Sequence, residues 1–278
     1  MATVTADGVE LFYEAAGAGD PIMLTHGSWT DGRTWEAIVG PLAEDFRVVT
    51  WDRRGHSRSQ DGDGPGSYRE DAADLAALIE HLSDRPVHLV GNSAGGAVVL
   101  NLVATRPELV ASAAVHEPGL ISLLQDIDDE HIAAAVDAET RQMETVRQLI
   151  ETGDHRNAAR YFIDNMAVGP GAWDQFPEPL RAILESNAHT FIQDAREDFD
   201  TTSLDVEELA ATTVPLLISQ GTESPELLRA STQELAHLVP SARLEVFTGA
   251  GHIPHRTHPE KYVATLIAFI DQLERLSS

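Results

Sequence analysis

A serine flanked by glycines is the feature that most narrows the fold, because the five residues at 91–95 read Gly-Asn-Ser-Ala-Gly. Residues 87–90 before it form an apolar strand pattern, and apolar residues at helical spacing follow it. The two glycines permit a sharp strand-to-helix turn that holds the Ser93 hydroxyl exposed at the helix N-terminus. Alone, the pattern would indicate only a tight turn with a capping serine. Between a strand and a helix, it predicts a strained elbow with Ser93 as a nucleophile.

The rest of the chain alternates short apolar runs with amphipathic helical patterns. Residues 68–82 have apolar side chains at helical spacing, as do Tyr262, Leu266 and Phe269 in a closing helix. Such alternation is typical of an α/β fold with a mostly parallel sheet flanked by helices. We predict strands at 21–25, 46–51, 87–90, 111–116, 215–220 and 244–248.

The alternation stops after Gly119. Residues 119–213 keep a helical periodicity but contain no convincing strand, and the proline- and glycine-containing stretches at 169–171 and 176–179 divide them into several helices. We therefore predict a helical cap at 119–213, inserted into a core domain formed by residues 1–118 and 214–278.

Composition excludes several classes of partner and chemistry. The 278 residues contain 19 Lys and Arg against 45 Asp and Glu, and the formal charge of -26 repels nucleic acids and anionic membranes. The chain has no cysteine, which rules out disulfides, thiolate metal sites and cysteine nucleophiles. We expect a small-molecule substrate and no nucleic-acid or membrane partner.

The first residues predict a cytoplasmic location. They have neither a basic segment nor an apolar segment of the kind found in signal peptides, and the chain contains no run of 18 apolar residues. The sequence does not decide between a monomer and a homodimer.

A serine nucleophile needs an imidazole that removes its proton and returns it to the leaving group. The chain has twelve histidines, and His252 lies in the loop between the last predicted strand and the last predicted helix. In an α/β architecture this loop lies over the elbow, so His252 is the predicted general base. Its alternative role is that of a helix cap or a packing residue.

Three histidines at spacings of three, His252, His255 and His258, invite a metal hypothesis. Pro254 and Pro259 prevent a regular helix across the segment, so the rings need not share one face. No carboxylate lies among residues 252–259. We therefore predict no metal site, and no cofactor.

Acyl transfer also needs donors for the oxyanion. The usual pair in this architecture is the amide after the nucleophile and an amide from the loop after an early strand, here those of Ala94 and Ser28. The adjacent Trp29 is a candidate for substrate binding. We interpret His26 as a buried structural residue, and residues 52–59 as a structural turn held by charge pairs.

Taken together, these residues resemble the α/β-hydrolase superfamily over nearly the full length. Within it, the chain looks most similar to zearalenone hydrolase-type lactonases, in which the strand after the elbow helix ends in a His-Glu pair like His116-Glu117. The cap matches no motif of these enzymes. The matching features are His26-Gly27, Phe46 to Thr50, Asp52 to Gly55, the elbow, Gly251-His252 and His258-Pro259.

The resemblance also bears on the acid that orients the histidine. Many α/β-hydrolases carry an Asp three residues past the glycine that ends a later strand, but Ser224 stands there in this chain. The neighbouring Glu223 is one alternative. Glu117 matches the lactonase-like position and the shifted acid of some dehalogenases, and is the acid we favour, although it could merely cap the loop before Pro118.

The predicted function is therefore hydrolysis of a carboxylic ester or lactone by a serine esterase or lactonase. Ser93 would be acylated, His252 would act as acid and base, and a buried glutamate would orient the imidazole. Two alternatives stay open. One is another reaction on the same fold, such as hydrolysis of an epoxide or a C–C bond, although related epoxide hydrolases and dehalogenases normally use Asp where Ser93 stands. The other is a non-catalytic receptor for small molecules.

Overall fold

A computed structural model describes residues 2–63, 66–125, 127–194 and 204–277. Its centre is an eight-stranded sheet with the strand order β1-β2-β4-β3-β5-β6-β7-β8. Strands β1 and β2 pair antiparallel with each other, β2 pairs antiparallel with β4, and the remaining pairs are parallel. The strands β1 to β8 are Ala2–Ala6, Val9–Ala16, Asp20–Thr25, Phe46–Trp51, Val87–Asn92, Val110–His116, Leu216–Gly221 and Arg243–Phe247.

Helices cover both faces of this sheet, as the sequence predicted. The helix predicted at 68–82 has these bounds, and Ser67 caps it by accepting a hydrogen bond from the Glu70 amide. The α-helices of the described residues, α1 to α12, are Glu36–Leu42, Tyr68–Leu82, Ala94–Thr105, Glu130–Glu151, His155–Phe162, Ala172–Gln175, Glu178–Ser186, Phe191–Asp194, Val206–Ala211, Glu226–Leu238, Pro254–Thr257 and Pro259–Ser277.

Two apolar clusters separate the sheet from its helices. Along β3, Met23 packs into the cluster beneath α2 and α3, whereas Ile22 and Leu24 pack into the cluster beneath α1 and α12. Successive side chains of a strand point to opposite faces, so a strand buried on both faces must be apolar throughout. This requirement explains why the central strands were recognisable as unbroken apolar runs.

Strands β1 and β2 were not predicted. They form a hairpin in which Ala6 pairs with Val9. Asp7 and Gly8 make its turn with φ values of 43° and 80°. An Asp-Gly pair between alternating apolar residues is a recognised hairpin signal, so the sequence did contain the information needed to find both strands.

Between β6 and β7, the described residues contain helices and no strand. Helices α4 to α8 share a third apolar cluster that includes Val146, Ile150, Leu184 and Phe191. Trp29, from the loop after β3, belongs to the same cluster, so this helical segment packs onto the sheet domain. The division into a core and a cap at 119–213 stays a prediction.

No helix within these described ranges is both long enough and apolar enough to span a bilayer.

Candidate active site

Ser93 lies at the junction of β5 and α3 with a strained backbone. Its φ and ψ are 54° and -131°, a region that residues with a side chain rarely adopt. The Ser93 amide donates to the carbonyl oxygen of His116 at 3.0 Å, and its own carbonyl accepts from Gly96 at 2.7 Å. The surrounding structure therefore holds the turn that the sequence predicted, with Ser93 at the start of α3.

The glycines around Ser93 are required by close contacts. A Cβ atom on Gly91 would lie 2.4 Å from the carbonyl oxygen of Gly95. One on Gly95 would lie 2.2 Å from the carbonyl oxygen of Thr25, the last residue of β3. Both distances are far below van der Waals contact. Glycine is therefore needed because backbone segments meet here, in addition to any need for a flexible turn.

His252 and Glu117 form a buried pair. Nδ1 of His252 lies 2.7 Å from Oε2 of Glu117, and the two side chains are 6% and 0% exposed. The other carboxylate oxygen of Glu117 accepts a hydrogen bond from the Gly221 amide at 2.8 Å. Glu117 also has a positive φ of 43°. Its carboxylate is therefore fixed on both oxygens.

The environment of Glu117 favours its ionised form. Burial by itself raises the pKa, but the hydrogen bond and charge of His252, together with His116 and Ser224, outweigh burial and lower the pKa of Glu117 to about 2. A carboxylate that stays ionised can accept a hydrogen bond from the Nδ1–H group of His252. Nε2 is then the ring nitrogen left to take a proton from Ser93.

The structure brings Glu117, and not Glu223, to His252. The side chain of Glu223 is exposed, and its Oε1 accepts a hydrogen bond from the neighbouring Thr222 hydroxyl at 3.3 Å. Ser224, at the position where many relatives carry Asp, is 6% exposed. It contributes to lowering the pKa of Glu117, so it lies close to the glutamate.

One cavity contains Ser93 and His252. Gly27, Ser28 and Asn92, from the loop after β3 and the end of β5, also line it. The space measures about 560 Å³ including its open mouth. The segment between β6 and β7 contributes only apolar residues to the described lining, among them Phe162, Ile163, Val168, Phe176, Leu180 and Leu184.

The predicted oxyanion donors flank the elbow. Ala94 is the first residue of α3, where backbone amides lack partners within the helix. Ser28 lines the cavity. A Cβ atom on Gly27 would lie 3.0 Å from Cβ of Ser93, so the loop after β3 runs directly against the elbow. The role of both amides stays a prediction.

Trp29 occupies a packing position. It is 1% exposed and has a φ of 67°. Its ring lies 5.3 Å from that of Phe162 and 4.9 Å from that of Phe191, measured between centroids. Trp29 is absent from the described lining of the cavity, whereas Phe162 is part of it. Trp29 therefore supports a cavity wall from behind, and direct substrate contact stays a prediction.

His26 and the turn after β4 form the layer beneath the elbow loop. Nε2 of His26 accepts from the Arg53 amide at 2.9 Å, so Nδ1 carries the proton and donates to Gly27 at 2.8 Å. Burial, with the nearby charge of Arg53, lowers the pKa of His26 to about 4, which keeps the ring neutral. Arg53 pairs with Asp71 at 2.6 Å. These contacts agree with the structural roles predicted for both segments.

The three histidines of the last loop point to different partners. His255 is buried, with Nε2 3.2 Å from the Thr34 hydroxyl and its ring 4.4 Å from that of Trp35. His258 Nδ1 lies 2.9 Å from the Thr257 hydroxyl. Among the described residues, no group of three or more His, Cys, Asp or Glu side chains is arranged to hold a metal ion.

Asn92 is a site residue that the sequence analysis did not single out. It occupies the variable position before Ser93, and its side-chain amide donates to the carbonyl oxygen of His252 at 2.9 Å. This hydrogen bond ties the last loop to the elbow and so fixes where His252 stands. A short polar side chain beside the nucleophile was the only signal available.

Comparison with known proteins identifies the family of the chain. A model described as "Alpha/beta hydrolase family" matches residues 22–265, and the chain belongs to this family. It is 29% identical to a non-heme haloperoxidase of Rhodococcus erythropolis, over 98% of this chain and 100% of that protein.

Solved structures share the fold. The enol-lactonase from Burkholderia xenovorans LB400 superposes with a TM-score of 0.78 at 20% identity, over 97% of this chain and 100% of that one. An esterase from Exiguobacterium antarcticum has a TM-score of 0.76 at 22% identity, over 97% and 98% of the two chains.

Proposed function

We propose that this protein hydrolyses a carboxylic ester or lactone through an acyl-enzyme on Ser93. In this reaction the Ser93 hydroxyl adds to the carbonyl carbon while His252 takes its proton. The alcohol leaves with that proton, and the acyl group stays on Ser93. Water, deprotonated by His252, then releases the acid. For a lactone, the leaving alcohol stays covalently joined to the acyl group, and the second step releases a single hydroxy acid.

The observation that supports this proposal most is the 2.7 Å hydrogen bond between Nδ1 of His252 and the buried Glu117, because His252 lines the cavity that also contains Ser93. A buried, ionised carboxylate behind the imidazole selects one tautomer and stabilises the imidazolium that forms as serine attacks. The strained backbone of Ser93 fits the same role, because it places a side chain where a helix begins.

We further propose that the helices between β6 and β7 act as a cap that selects the substrate. Their contribution to the cavity is apolar, whereas the sheet domain supplies its polar groups. An ester or lactone with a hydrocarbon part suits this division, since the carbonyl reaches the polar wall while the hydrocarbon contacts the helices. The names of the similar enol-lactonase and esterase agree with ester or lactone chemistry.

An epoxide hydrolase, CorEH, has the same fold at 21% identity. This similarity concerns the fold alone, and Ser93 stands where such enzymes normally carry Asp. We therefore propose ester hydrolysis in preference to epoxide opening.

The test is covalent labelling combined with substitution of the nucleophile. A fluorophosphonate should label Ser93, and mass spectrometry locates the label. Ser93→Ala should lose nearly all turnover of a short p-nitrophenyl ester, because the oxyanion donors alone cannot do the work of the missing nucleophile. The exposed Ser241 is a suitable control, and Ser241→Ala should keep full activity. Label on another serine, or near-normal rates in Ser93→Ala, would exclude the mechanism. A protein that turns over no ester would favour the alternative of a non-catalytic receptor.

A further inference from the structure

The charges around the cavity contrast with those of the whole molecule. The chain has 45 Asp and Glu residues, yet none of the described residues that line the cavity is acidic. Arg256 does line it, and apart from the titratable His252 it is the only ionisable side chain in that described lining. The protein as a whole therefore has a net charge of -26, whereas the charged side chain that lines its cavity, Arg256, is positive.

Arg256 also differs from most arginines of this protein, because it has no acidic partner among the described residues. Arg53, Arg54 and Arg58, for example, pair with buried aspartates at 2.6 to 2.7 Å. Within the described part of the chain, no carboxylate lies at ion-pair distance from Arg256. Its side chain is half-buried. A partly desolvated guanidinium without a counter-charge has donors available for a ligand.

The backbone that carries Arg256 is firmly held. Arg256 lies in α11, and its amide donates to the carbonyl oxygen of Ile253 at 3.0 Å. The preceding residue, His255, is fully buried against Trp35 and contacts Thr34. His252 lies four residues before Arg256, in the loop that precedes α11. The guanidinium thus extends from a fixed point close to the predicted general base, and binding an anion there orders only one flexible side chain.

We propose that the substrate carries a carboxylate of its own, separate from the ester or lactone group, and that Arg256 binds it. The proposal rests on the function proposed above. A guanidinium presents paired N–H donors that match a carboxylate, and such charge-assisted hydrogen bonds are stronger than neutral ones. A neutral substrate would leave Arg256 with no charged partner in the cavity. The carboxylate would also orient the substrate, with its hydrocarbon part along the apolar helices and its carbonyl at Ser93.

The test compares pairs of esters, and the two members of each pair differ by one negative charge. The mono-p-nitrophenyl esters of adipic, pimelic and suberic acid carry a free carboxylate at increasing distance, and the corresponding methyl-capped diesters do not. The wild-type protein should show a higher kcat/KM for the free acid than for the capped ester at the chain length that reaches Arg256. Arg256→Gln should lower kcat/KM for that acid by roughly 10- to 100-fold while changing the capped ester by less than about 2-fold.

Two further variants separate recognition from general charge effects. Arg256→Lys should keep part of the preference, because it retains a charge but loses the paired donors. Arg141→Gln makes the same change in net charge at an exposed position of α4 and should alter neither substrate. If Arg256→Gln slows both esters equally, or neither, the proposal is wrong while ester hydrolysis stands.

If the protein turns over no ester, the proposed function fails, and calorimetric binding of monomethyl adipate tests Arg256 separately. Binding that Arg256→Gln weakens at least 10-fold would support anion recognition. Equal binding by both proteins, or none by either, would overturn it.

Discussion

Glu117 and Glu223 both precede His252 in the chain, but their surroundings differ. Glu117 has no exposed surface and has both carboxylate oxygens engaged, one by His252 and one by the Gly221 amide. Glu223 is exposed beside Thr222. An orienting carboxylate has to keep a single position through the reaction, which a buried side chain with two partners can do and an exposed side chain cannot.

This difference predicts unequal effects of two matched substitutions. Glu117→Gln should lower kcat on the order of 10⁴-fold with little change in substrate binding, because the amide cannot hold the required tautomer or stabilise the imidazolium. Glu223→Gln should change kcat by less than about 2-fold, since it removes an exposed charge. Steady-state kinetics on a p-nitrophenyl ester, with circular dichroism to check folding, give both values. A crippled Glu223→Gln beside an active Glu117→Gln would reverse the assignment.

At the scale of elements, the site depends on backbone segments that cross with no space for a side chain. The start of α3 passes beneath the end of β3, so that a Cβ atom on Gly95 would meet the carbonyl oxygens of Thr25 and His26 at 2.2 and 2.4 Å. The same crossing brings the loop after β3, with Ser28, against the elbow. The position of the loop after β3 and the packing of α3 on the sheet are therefore one geometric requirement.

A single methyl group tests that requirement. Gly95→Ala should destabilise the fold by about 1–3 kcal/mol, because backbone atoms must move to admit the Cβ atom. Turnover of a p-nitrophenyl ester, as expected under the proposed function, should fall by more than the loss of folded protein explains, since the displaced segments carry the elbow. Thermal melting and kcat measured well below the melting temperature separate the two effects.

Gly40→Ala is the matched control for Gly95→Ala. Gly40 lies in α1 with nothing within 4 Å of its Cβ position. Alanine should leave activity unchanged and change the stability by less than about 1 kcal/mol, because its helix preference is offset by the contact of its Cβ atom with the ring of Pro41. A Gly95→Ala protein as stable and active as Gly40→Ala would show that the crossing tolerates a side chain.

For the whole molecule, charge is the dominant feature beyond the fold. The formal charge of -26 has to be accommodated on one compact chain, and only a few acidic side chains, such as Asp71 and Asp74, are buried in pairs with arginine. Most of the excess lies on the surface, where like charges repel and the repulsion is reduced by dissolved ions. The stability of the folded state should therefore depend on salt.

We expect the melting temperature to rise by a few degrees between about 20 mM and 0.5 M NaCl, as the Debye length falls from about 20 Å to about 4 Å. Scanning calorimetry gives the values. KCl at equal ionic strength should have the same effect, because screening depends on ionic strength. A melting temperature that stays flat or falls would mean that the acidic surface is already balanced by its cations.

Local sequence determined much of the fold. The predicted strands and the helix at 68–82 were confirmed within a residue or two, because a strand covered on both faces must be apolar throughout and a half-exposed helix must alternate at helical spacing. Ser93 and His252 were singled out by the same local logic, since each stands where a predicted strand gives way to a turn. The hairpin of β1 and β2 was missed, although its Asp-Gly turn was readable in the sequence.

The tertiary structure alone decided which residues share the cavity. The sequence left both Glu117 and Glu223 as candidates for the acid. Only the pairing of β6 with β7 decides which carboxylate is buried beside His252. The local sequence gave no decisive signal for Asn92 or Arg256. The hydrogen bond of Asn92 crosses the fold, and the lack of an acidic partner for Arg256 among the described residues depends on how distant segments pack. Periodicity records which face of an element is buried, but the site depends on distances between residues far apart in the chain.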